Sequence, residues 1–295
     1  MTASAEPIGV DVDGGRVTVL DWGGSGRPLV LLHPNGFCAG LYDPVATRLR
    51  DDAHVLGVDL PGHGASTPPA DRAGFGFGAM AECVLAALDH LGIRRAAVVG
   101  GSLGGAVAIM ADQLRSGCWS RALLAEPVAF PIGRIADPAA PKENPMAEAA
   151  RRRRSRFADR AAMVEALSTR EPLSQLAPEA MQAYARWGTV ADGNGVRLAC
   201  EPEVEATVFE VSGQADGAPA AWSHLPELSC PATVVAGRDS FLPDVFAEQA
   251  ERAGARFVLV EGGHFVLHED SGRGAALIRR HALGISSANT LVAEG

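Results

Sequence analysis

Continuous apolar runs alternate with amphipathic stretches along most of this chain. Alternating apolar residues around Asp13-Gly14-Gly15 predict an opening hairpin. The apolar runs after it predict buried strands at residues 28–33, 54–59, 96–99, 121–125, 231–236 and 256–260. Helices are predicted between them at about residues 41–50, 77–91, 106–114, 244–253 and 274–283. Strand and helix in alternation predict an α/β fold with a doubly wound, mostly parallel sheet.

The alternation stops at Glu126-Pro127 and resumes near Cys230. The intervening stretch has proline-rich loops and predicted helical pieces at about residues 146–168 and 178–187. We interpret residues 127–227 as an inserted helical lid. The core would then consist of residues 1–126 and 228–285, and residues 286–295 are predicted to form a flexible tail.

Composition narrows the class of partner and the compartment. The formal net charge of −9 argues against a nucleic acid or an anionic membrane as the partner, because both require a basic face. The chain has no apolar run of membrane-spanning length and no signal-peptide pattern, and its five scattered cysteines are typical of reduced thiols. We therefore expect a cytoplasmic protein. A homodimer is compatible with the sequence.

The segment Gly100-Gly101-Ser102-Leu103-Gly104-Gly105 carries the strongest chemical signal. A serine in Gly-x-Ser-x-Gly between a buried strand and a helix has the pattern of a nucleophile elbow. So sharp a turn places the serine at strained backbone angles, and the flanking glycines leave room for close approach of the chain. The Ser102 hydroxyl is therefore expected at the C-terminal edge of the sheet, facing a cleft.

Three further motifs follow other predicted strands: His33-Pro34-Asn35-Gly36, Asp59-Leu-Pro-Gly-His-Gly-Ala-Ser66 and Gly262-Gly263-His264-Phe265. With these motifs and the elbow in this order, the chain resembles the α/β-hydrolase superfamily over nearly all of its length outside the predicted lid. The resemblance implies the α/β-hydrolase fold and an esterase-like serine hydrolase that acts on a small-molecule substrate.

The resemblance also implies a role for each residue of the site. Ser102 would attack an acyl carbon, and His264 would take its proton, because histidine exchanges protons near neutral pH. The backbone N–H groups of Leu103 and Asn35 would form the oxyanion hole. The loop departs from the family at Pro34, where His-Gly is usual, so the neighbouring N–H groups of Gly36 and Phe37 remain alternatives to that of Asn35.

Two carboxylates are candidates for the third member of the triad. In the family, the acid usually stands in a Gly-x-x-Asp pattern after the seventh strand. Here Gly237-Arg238-Asp239-Ser240 places Asp239 one position early, and Ser240 occupies the usual position. Glu126, at the end of the sixth strand, is the alternative. We favour Asp239, because the triad requires a carboxylate near the histidine loop.

Other polar residues receive structural interpretations. His268 is expected to be structural or to line the cleft, and His63 to anchor its turn by hydrogen bonds. Gly101 stands where many relatives have histidine, and it is expected to open space behind the elbow. The arginine run 151–156 is interpreted as a solvated helix face, paired with acidic residues such as Glu201, Glu203 and Glu205. The alternative is that one of these arginines binds a substrate carboxylate or phosphate.

The leading hypothesis is a hydrolase of carboxylic esters or thioesters that works through an acyl-enzyme. The alternatives are a hydrolase of a carbon–carbon bond in a dienoic or β-diketone acid, and a non-catalytic small-molecule receptor. No metal or organic cofactor is expected, because no ligand cluster is present and the glycine-rich segment has no Gly-Lys-Ser/Thr.

Overall fold

The computed structural model of this protein describes residues 5–131 and 144–285. The tail predicted at 286–295 and part of the predicted lid, 132–143, lie outside the described residues. The central strands are β1 (Glu6–Val12), β2 (Gly15–Gly23), β3 (Pro28–Leu32), β4 (His54–Asp59), β5 (Ala96–Gly101), β6 (Trp119–Ala125), β10 (Ala232–Gly237) and β11 (Arg256–Val260). Three strands of the inserted segment are β7 (Arg156–Phe157), β8 (Thr189–Asp192) and β9 (Gly195–Leu198).

The central sheet has the strand order β1-β2-β4-β3-β5-β6-β10-β11. β2 pairs antiparallel with both β1 and β4, and the five remaining pairings are parallel. The α/β fold with a mostly parallel sheet is therefore confirmed, and the opening hairpin lies at one edge. Because β3, β5, β6, β10 and β11 run in parallel, the loops that follow them meet at one edge of the sheet.

Helices cover both faces of the sheet, and the described part of the segment between β6 and β10 contains five more. They are α1 (Asp43–Leu49), α2 (Phe77–His90), α3 (Leu103–Leu114), α4 (Pro145–Arg152), α5 (Arg160–Leu167), α6 (Pro178–Trp187), α7 (Pro202–Ser212), α8 (Ala218–His224), α9 (Pro243–Arg252) and α10 (Ser271–His281). Leu29 and Leu31 of β3 belong to the core beneath α1 and α10, whereas Val30 and Leu32 belong to the core beneath α2 and α3. This alternation follows from the two-residue period of a strand, and it explains why the run is apolar throughout.

The segment between β6 and β10 differs from the predicted helical insertion. It contains α4 to α8, but also a three-stranded antiparallel sheet in the order β7-β9-β8. β8 and β9 form a hairpin whose turn is Gly193-Asn194, a typical two-residue hairpin turn. The predicted helical stretch 146–168 is divided by β7, because the chain is extended at Arg153, where α4 ends.

The inserted segment packs over the C-terminal edge of the central sheet. Phe37 and Leu41, from the loop after β3, share a hydrophobic cluster with Met163 and Tyr184 of the insertion and with Phe265 after β11. Phe37 lies 4.8 Å from the Tyr184 ring and 5.3 Å from the Phe265 ring, between centroids. The insertion therefore lies directly above the loops that carry the predicted site.

Within residues 5–131 and 144–285, no helix is both long and apolar enough to cross a bilayer. All five cysteines are free thiols.

Candidate active site

Ser102 occupies the sharp turn between β5 and α3. Its φ is 52° and its ψ is −115°, which is a costly conformation for a residue with a Cβ, on the order of 1–3 kcal/mol. Hydrogen bonds hold it there: its N–H donates to the Ala125 carbonyl at 2.9 Å, and its carbonyl accepts from Gly105 N at 3.0 Å and from Val128 N at 3.1 Å. The neighbouring strand and the following helix therefore fix the turn from both sides.

Gly104 allows α3 to begin directly behind the turn. A Cβ at this position would lie 2.2 Å from the carbonyl oxygen of Leu32 in β3, which is closer than atoms can approach. The helix therefore packs on the neighbouring strand backbone without a side chain between them, as the glycines of the elbow predict.

Glu126 follows β6 at the same edge of the sheet. It has a φ of 48°, and with Ser102 it is one of two non-glycine residues with positive φ in the described chain. Its N–H donates to the carbonyl of Val235 at 3.0 Å, which ties the residue to β10. The nucleophile candidate and one acid candidate thus occupy the ends of adjacent strands.

The carboxylate of Glu126 meets the ring of His264. Oε2 of Glu126 lies 2.6 Å from Nδ1 of His264, and the glutamate side chain is fully buried. Oε1 accepts from Gly237 N at 2.8 Å, and Oε2 also accepts from the Ser240 hydroxyl at 2.6 Å. Burial of a carboxylate is costly unless such donors replace water. The contact uses Nδ1 and leaves Nε2 of His264 for another partner.

Asp239 does not reach His264. Its side chain is exposed, and its backbone N–H donates to the Gly262 carbonyl at 2.9 Å. Between the two acid candidates, the structure brings Glu126 and not Asp239 to the histidine ring. Ser240, at the position where the family usually carries the acid, instead donates to Glu126.

The loop after β11 holds His264 from several directions. The His264 ring contacts the rings of Phe241 and Phe265, with centroid distances of 5.1 and 5.2 Å. The carboxylate of Glu269 accepts from the N–H groups of Gly263 and Phe265 on either side of the histidine, at 3.0 and 3.1 Å. Glu269 therefore closes this loop, a role that the sequence motif does not indicate.

The two predicted oxyanion donors are backbone N–H groups at the start of α3 and in the turn after β3. Leu103 is the first residue of α3, where backbone N–H groups have no intrahelical partner. Asn35 lies in the turn 34–37, which is closed by Phe37 N donating to Pro34 O at 3.3 Å. Gly36 has a φ of 79°, as the third position of a type II turn requires.

Two buried histidines support this turn from below. His33 Nε2 accepts from Leu60 N at 2.9 Å, so its Nδ1–H donates to the Pro34 carbonyl at 2.8 Å. Burial lowers the pKa of His33 well below its usual value. His63 lies with Nε2 3.1 Å from the Asn35 Oδ1, and burial lowers its pKa to about 4. Both rings are therefore neutral supports of the loop.

Ser102 and His264 line the same small cavity, together with Pro34, Gly101 and His268. The free space is about 10 Å³, the room of one water molecule. His268 is 2% exposed, neither of its ring nitrogens has a partner in the described chain, and burial lowers its pKa to about 3. A Cβ at Gly101 would lie 3.3 Å from the Tyr42 hydroxyl, so a bulkier residue would close this space.

The arginines of the run 151–156 mostly lie at the surface and form ion pairs. Arg151 forms ion pairs with Glu203 at 2.8 Å and Glu210 at 2.7 Å, and Arg152 pairs with Glu148 at 3.2 Å. Glu201 pairs with Arg197 outside the run. Arg153 is different, because it is largely buried and pairs with Glu205 beside the loop that contains Asn35.

The described residues contain no group of three or more His, Cys, Asp or Glu side chains that could hold a metal ion.

Comparison with known proteins places these features in a family. The sequence model of the alpha/beta hydrolase family matches residues 29–277. An esterase of Mycobacterium tuberculosis is 35% identical over 117 residues, which is 37% of this chain and 38% of that protein. The chain spans between 25 and 38% of the length of the curated relatives that it matches.

Solved structures share the fold over almost the whole chain. A thioesterase domain from the curacin biosynthetic pathway has a TM-score of 0.78 at 20% identity, and covers 94% of this chain and 99% of its own. An E-2-(acetamidomethylene)succinate hydrolase has a TM-score of 0.77 at 20% identity, covering 94% and 98%. At this level of identity the likeness concerns the fold.

Proposed function

The chain belongs to the alpha/beta hydrolase family, and on this premise we propose that it is a serine hydrolase that cleaves a carboxylic ester or thioester. The observation that carries the proposal is the 2.6 Å contact between the buried Glu126 carboxylate and Nδ1 of His264. A carboxylate at Nδ1 holds the imidazole in the tautomer whose Nε2 accepts a proton. Nε2 then accepts the proton of the Ser102 hydroxyl, which lines the same cavity as His264.

The acylation step uses the strained position of Ser102. Nε2 of His264 takes the hydroxyl proton as the oxygen attacks the acyl carbon, and the carbonyl oxygen becomes an oxyanion. The N–H groups of Leu103 and Asn35 stabilise this charge; one such donor contributes about 3–4 kcal/mol to transition-state stability. The imidazolium gives this proton to the leaving oxygen or sulfur as its bond to the acyl carbon breaks. The alcohol or thiol departs, and the acyl group stays on Ser102.

Deacylation repeats the same sequence with water. Nε2 of His264 takes a proton from a water molecule, the hydroxide attacks the acyl carbon of Ser102, and the Ser102 oxygen leaves with the proton. The Glu126 carboxylate stabilises the imidazolium in both steps. Its three hydrogen bonds keep the carboxylate in place during the cycle.

Names of similar proteins support the choice of substrate class. One relative is an esterase and one structural neighbour is a thioesterase domain, so esters and thioesters are the first substrates to test. The shared fold also includes a hydrolase of a substituted succinate, which is a reason to include acids among the substrates.

A substrate panel tests the proposal. It contains p-nitrophenyl esters of increasing acyl length, acyl-CoA thioesters and one vinylogous β-diketone acid, with the wild-type protein and Ser102→Ala. We expect the wild type to hydrolyse esters or thioesters and Ser102→Ala to lose this activity. Turnover of the β-diketone acid alone would contradict the ester assignment. Equal turnover by both proteins would contradict the role of Ser102.

A further inference from the structure

Three polar side chains of the inserted segment meet beside the loop that contains Asn35. The Arg153 guanidinium, just after α4, pairs with the Glu205 carboxylate of α7, and its Nη2 donates to the Tyr184 hydroxyl of α6 at 2.8 Å. Only 20% of the arginine side chain and 12% of the glutamate side chain are exposed. Removal of one partner of a buried pair is costly, so the three groups depend on one another.

This cluster contacts the turn 34–37 directly. The Tyr184 hydroxyl donates to the Gly36 carbonyl at 3.0 Å, and the Asn35 side-chain amide donates to the backbone carbonyl of Glu205 at 3.0 Å. A Cβ on Gly36 would lie 2.7 Å from the Glu205 carboxylate and 3.1 Å from the Arg153 guanidinium. The turn therefore lies against the pair with no side chain between them.

The other side of the turn is held from the core. His63 contacts the Asn35 Oδ1 at 3.1 Å, and His33 donates to the Pro34 carbonyl at 2.8 Å. These contacts leave the Gly36 carbonyl to the insertion, where the Tyr184 hydroxyl bonds it. Contacts from the core and contacts from the inserted segment thus together fix the orientation of the turn.

We propose that Arg153, Tyr184 and Glu205 are positioning residues that fix the turn 34–37, and with it the oxyanion donor at Asn35. The inference rests on the proposed function, because it concerns the same site. The inserted segment then contributes to the rate of the reaction, in addition to covering the site. An oxyanion donor stabilises the transition state only when it is held in place beforehand.

Tyr184→Phe is the sharpest variant, because it keeps the ring that packs against Phe37 and removes only the hydroxyl. We expect kcat for the best ester to fall about tenfold, with KM changed less than twofold, since the lost contact serves the transition state. The Ki of a trifluoromethyl ketone, whose adduct places an oxyanion in the same hole, should rise by a similar factor. A purely structural role would lower the melting temperature without this selective effect.

Arg153→Lys is the second variant, because lysine keeps a positive charge but cannot contact Glu205 and Tyr184 through one planar fork. It should show the same split between kcat and KM. Arg151→Gln is the matched control: Arg151 lies in α4, two positions before Arg153, but pairs with Glu203 and Glu210 at the surface, and its kcat should equal that of the wild type.

Two outcomes separate this inference from the proposed function. If the wild type hydrolyses esters but Tyr184→Phe and Arg153→Lys keep kcat and the trifluoromethyl ketone Ki within twofold, the positioning role is overturned and the proposed function stands. If the wild type hydrolyses none of the esters or thioesters, the proposed function fails and the positioning role fails with it.

Discussion

The Ser240 hydroxyl donates to the Oε2 of Glu126 at 2.6 Å, the same oxygen that lies 2.6 Å from the His264 ring. Ser240 follows β10, and Glu126 follows the adjacent strand β6. The position where the family usually carries the acid thus holds a hydroxyl that supports a carboxylate from the neighbouring strand. The carboxylate thus comes from the end of β6, and the hydroxyl that follows β10 helps to hold its orientation.

Glu126→Gln tests which carboxylate serves His264. An amide cannot hold the reactive tautomer, so we expect kcat to fall by a factor on the order of 10³–10⁴. Asp239→Asn is the matched control, and it should retain nearly full activity because Asp239 is exposed and does not reach the ring. Steady-state kinetics on one ester measure both variants. The reverse order of effects would return the assignment to Asp239.

Ser240→Ala tests the support of the carboxylate. Besides its contact with His264, the fully buried Glu126 carboxylate accepts from Gly237 N and from the Ser240 hydroxyl. The variant removes the second of these donors, so the free energy of unfolding should fall by about 1–3 kcal/mol. The catalytic rate should fall less than in Glu126→Gln, because the contact between Glu126 and His264 remains. Urea unfolding and kcat are the measurements. Unchanged stability would mean that water replaces the hydroxyl at no cost.

Gly104→Ala tests the close packing behind the elbow. The new Cβ would lie 2.2 Å from the Leu32 carbonyl, so we expect a loss of about 1–3 kcal/mol in the free energy of unfolding, and lower activity as α3 moves. Gly78→Ala in α2 is the control, because a Cβ there meets nothing within 4 Å. It should be neutral or stabilise by up to about 1 kcal/mol. Equal effects would contradict the packing argument.

Acid should destabilise the protein through its buried histidines. In the folded state, burial lowers the pKa of His63 to about 4, that of His268 to about 3, and that of His33 well below its usual value. The unfolded chain binds these protons near pH 6.5, so the stabilisation is complete above that pH and is lost as the pH falls toward 4. Burial also raises the pKa of Asp59 to about 6. Between about pH 6 and 4 the folded protein therefore binds one proton at this carboxyl that the unfolded chain does not, and this opposes the loss of stability from the histidines.

Near pH 5 the unfolded chain binds more protons than the folded protein, because the three histidines outweigh the single Asp59 carboxyl, so the free energy of unfolding falls as the pH falls. Urea unfolding at pH 7.5, 6 and 5 measures this slope. His268→Leu should reduce it by about one proton, because the variant has no group to protonate there. A constant free energy of unfolding between pH 7 and 5 would contradict the prediction.

Much of the fold could be predicted from the sequence because its signals are local. The apolar run at residues 28–33 predicts a buried strand by itself, and the strand–glycine–serine–glycine–helix order around Ser102 predicts a sharp turn. The insertion was predicted less well. The hairpin of β8 and β9 has only four residues on each side, although its Gly193-Asn194 turn was a usable signal.

The arrangement of the site depends on contacts that sequence spacing does not determine. Glu126 and Asp239 follow adjacent strands, so their distances to His264 depend on side-chain direction and on the course of each loop. The contact of Tyr184 with Gly36 joins residues 148 positions apart. A run of arginines also does not reveal which member is buried, and only the folded insertion distinguishes Arg153 from Arg151.

A fluorophosphonate probe tests the central claim most directly, because it forms a covalent bond only with an activated serine. Peptide mass spectrometry after labelling should find the adduct on Ser102 in the wild type. The rate of labelling should fall at least a hundredfold in His264→Ala, and no adduct should form in Ser102→Ala. An adduct on another serine, or labelling of Ser102 at an unchanged rate without His264, would contradict the account.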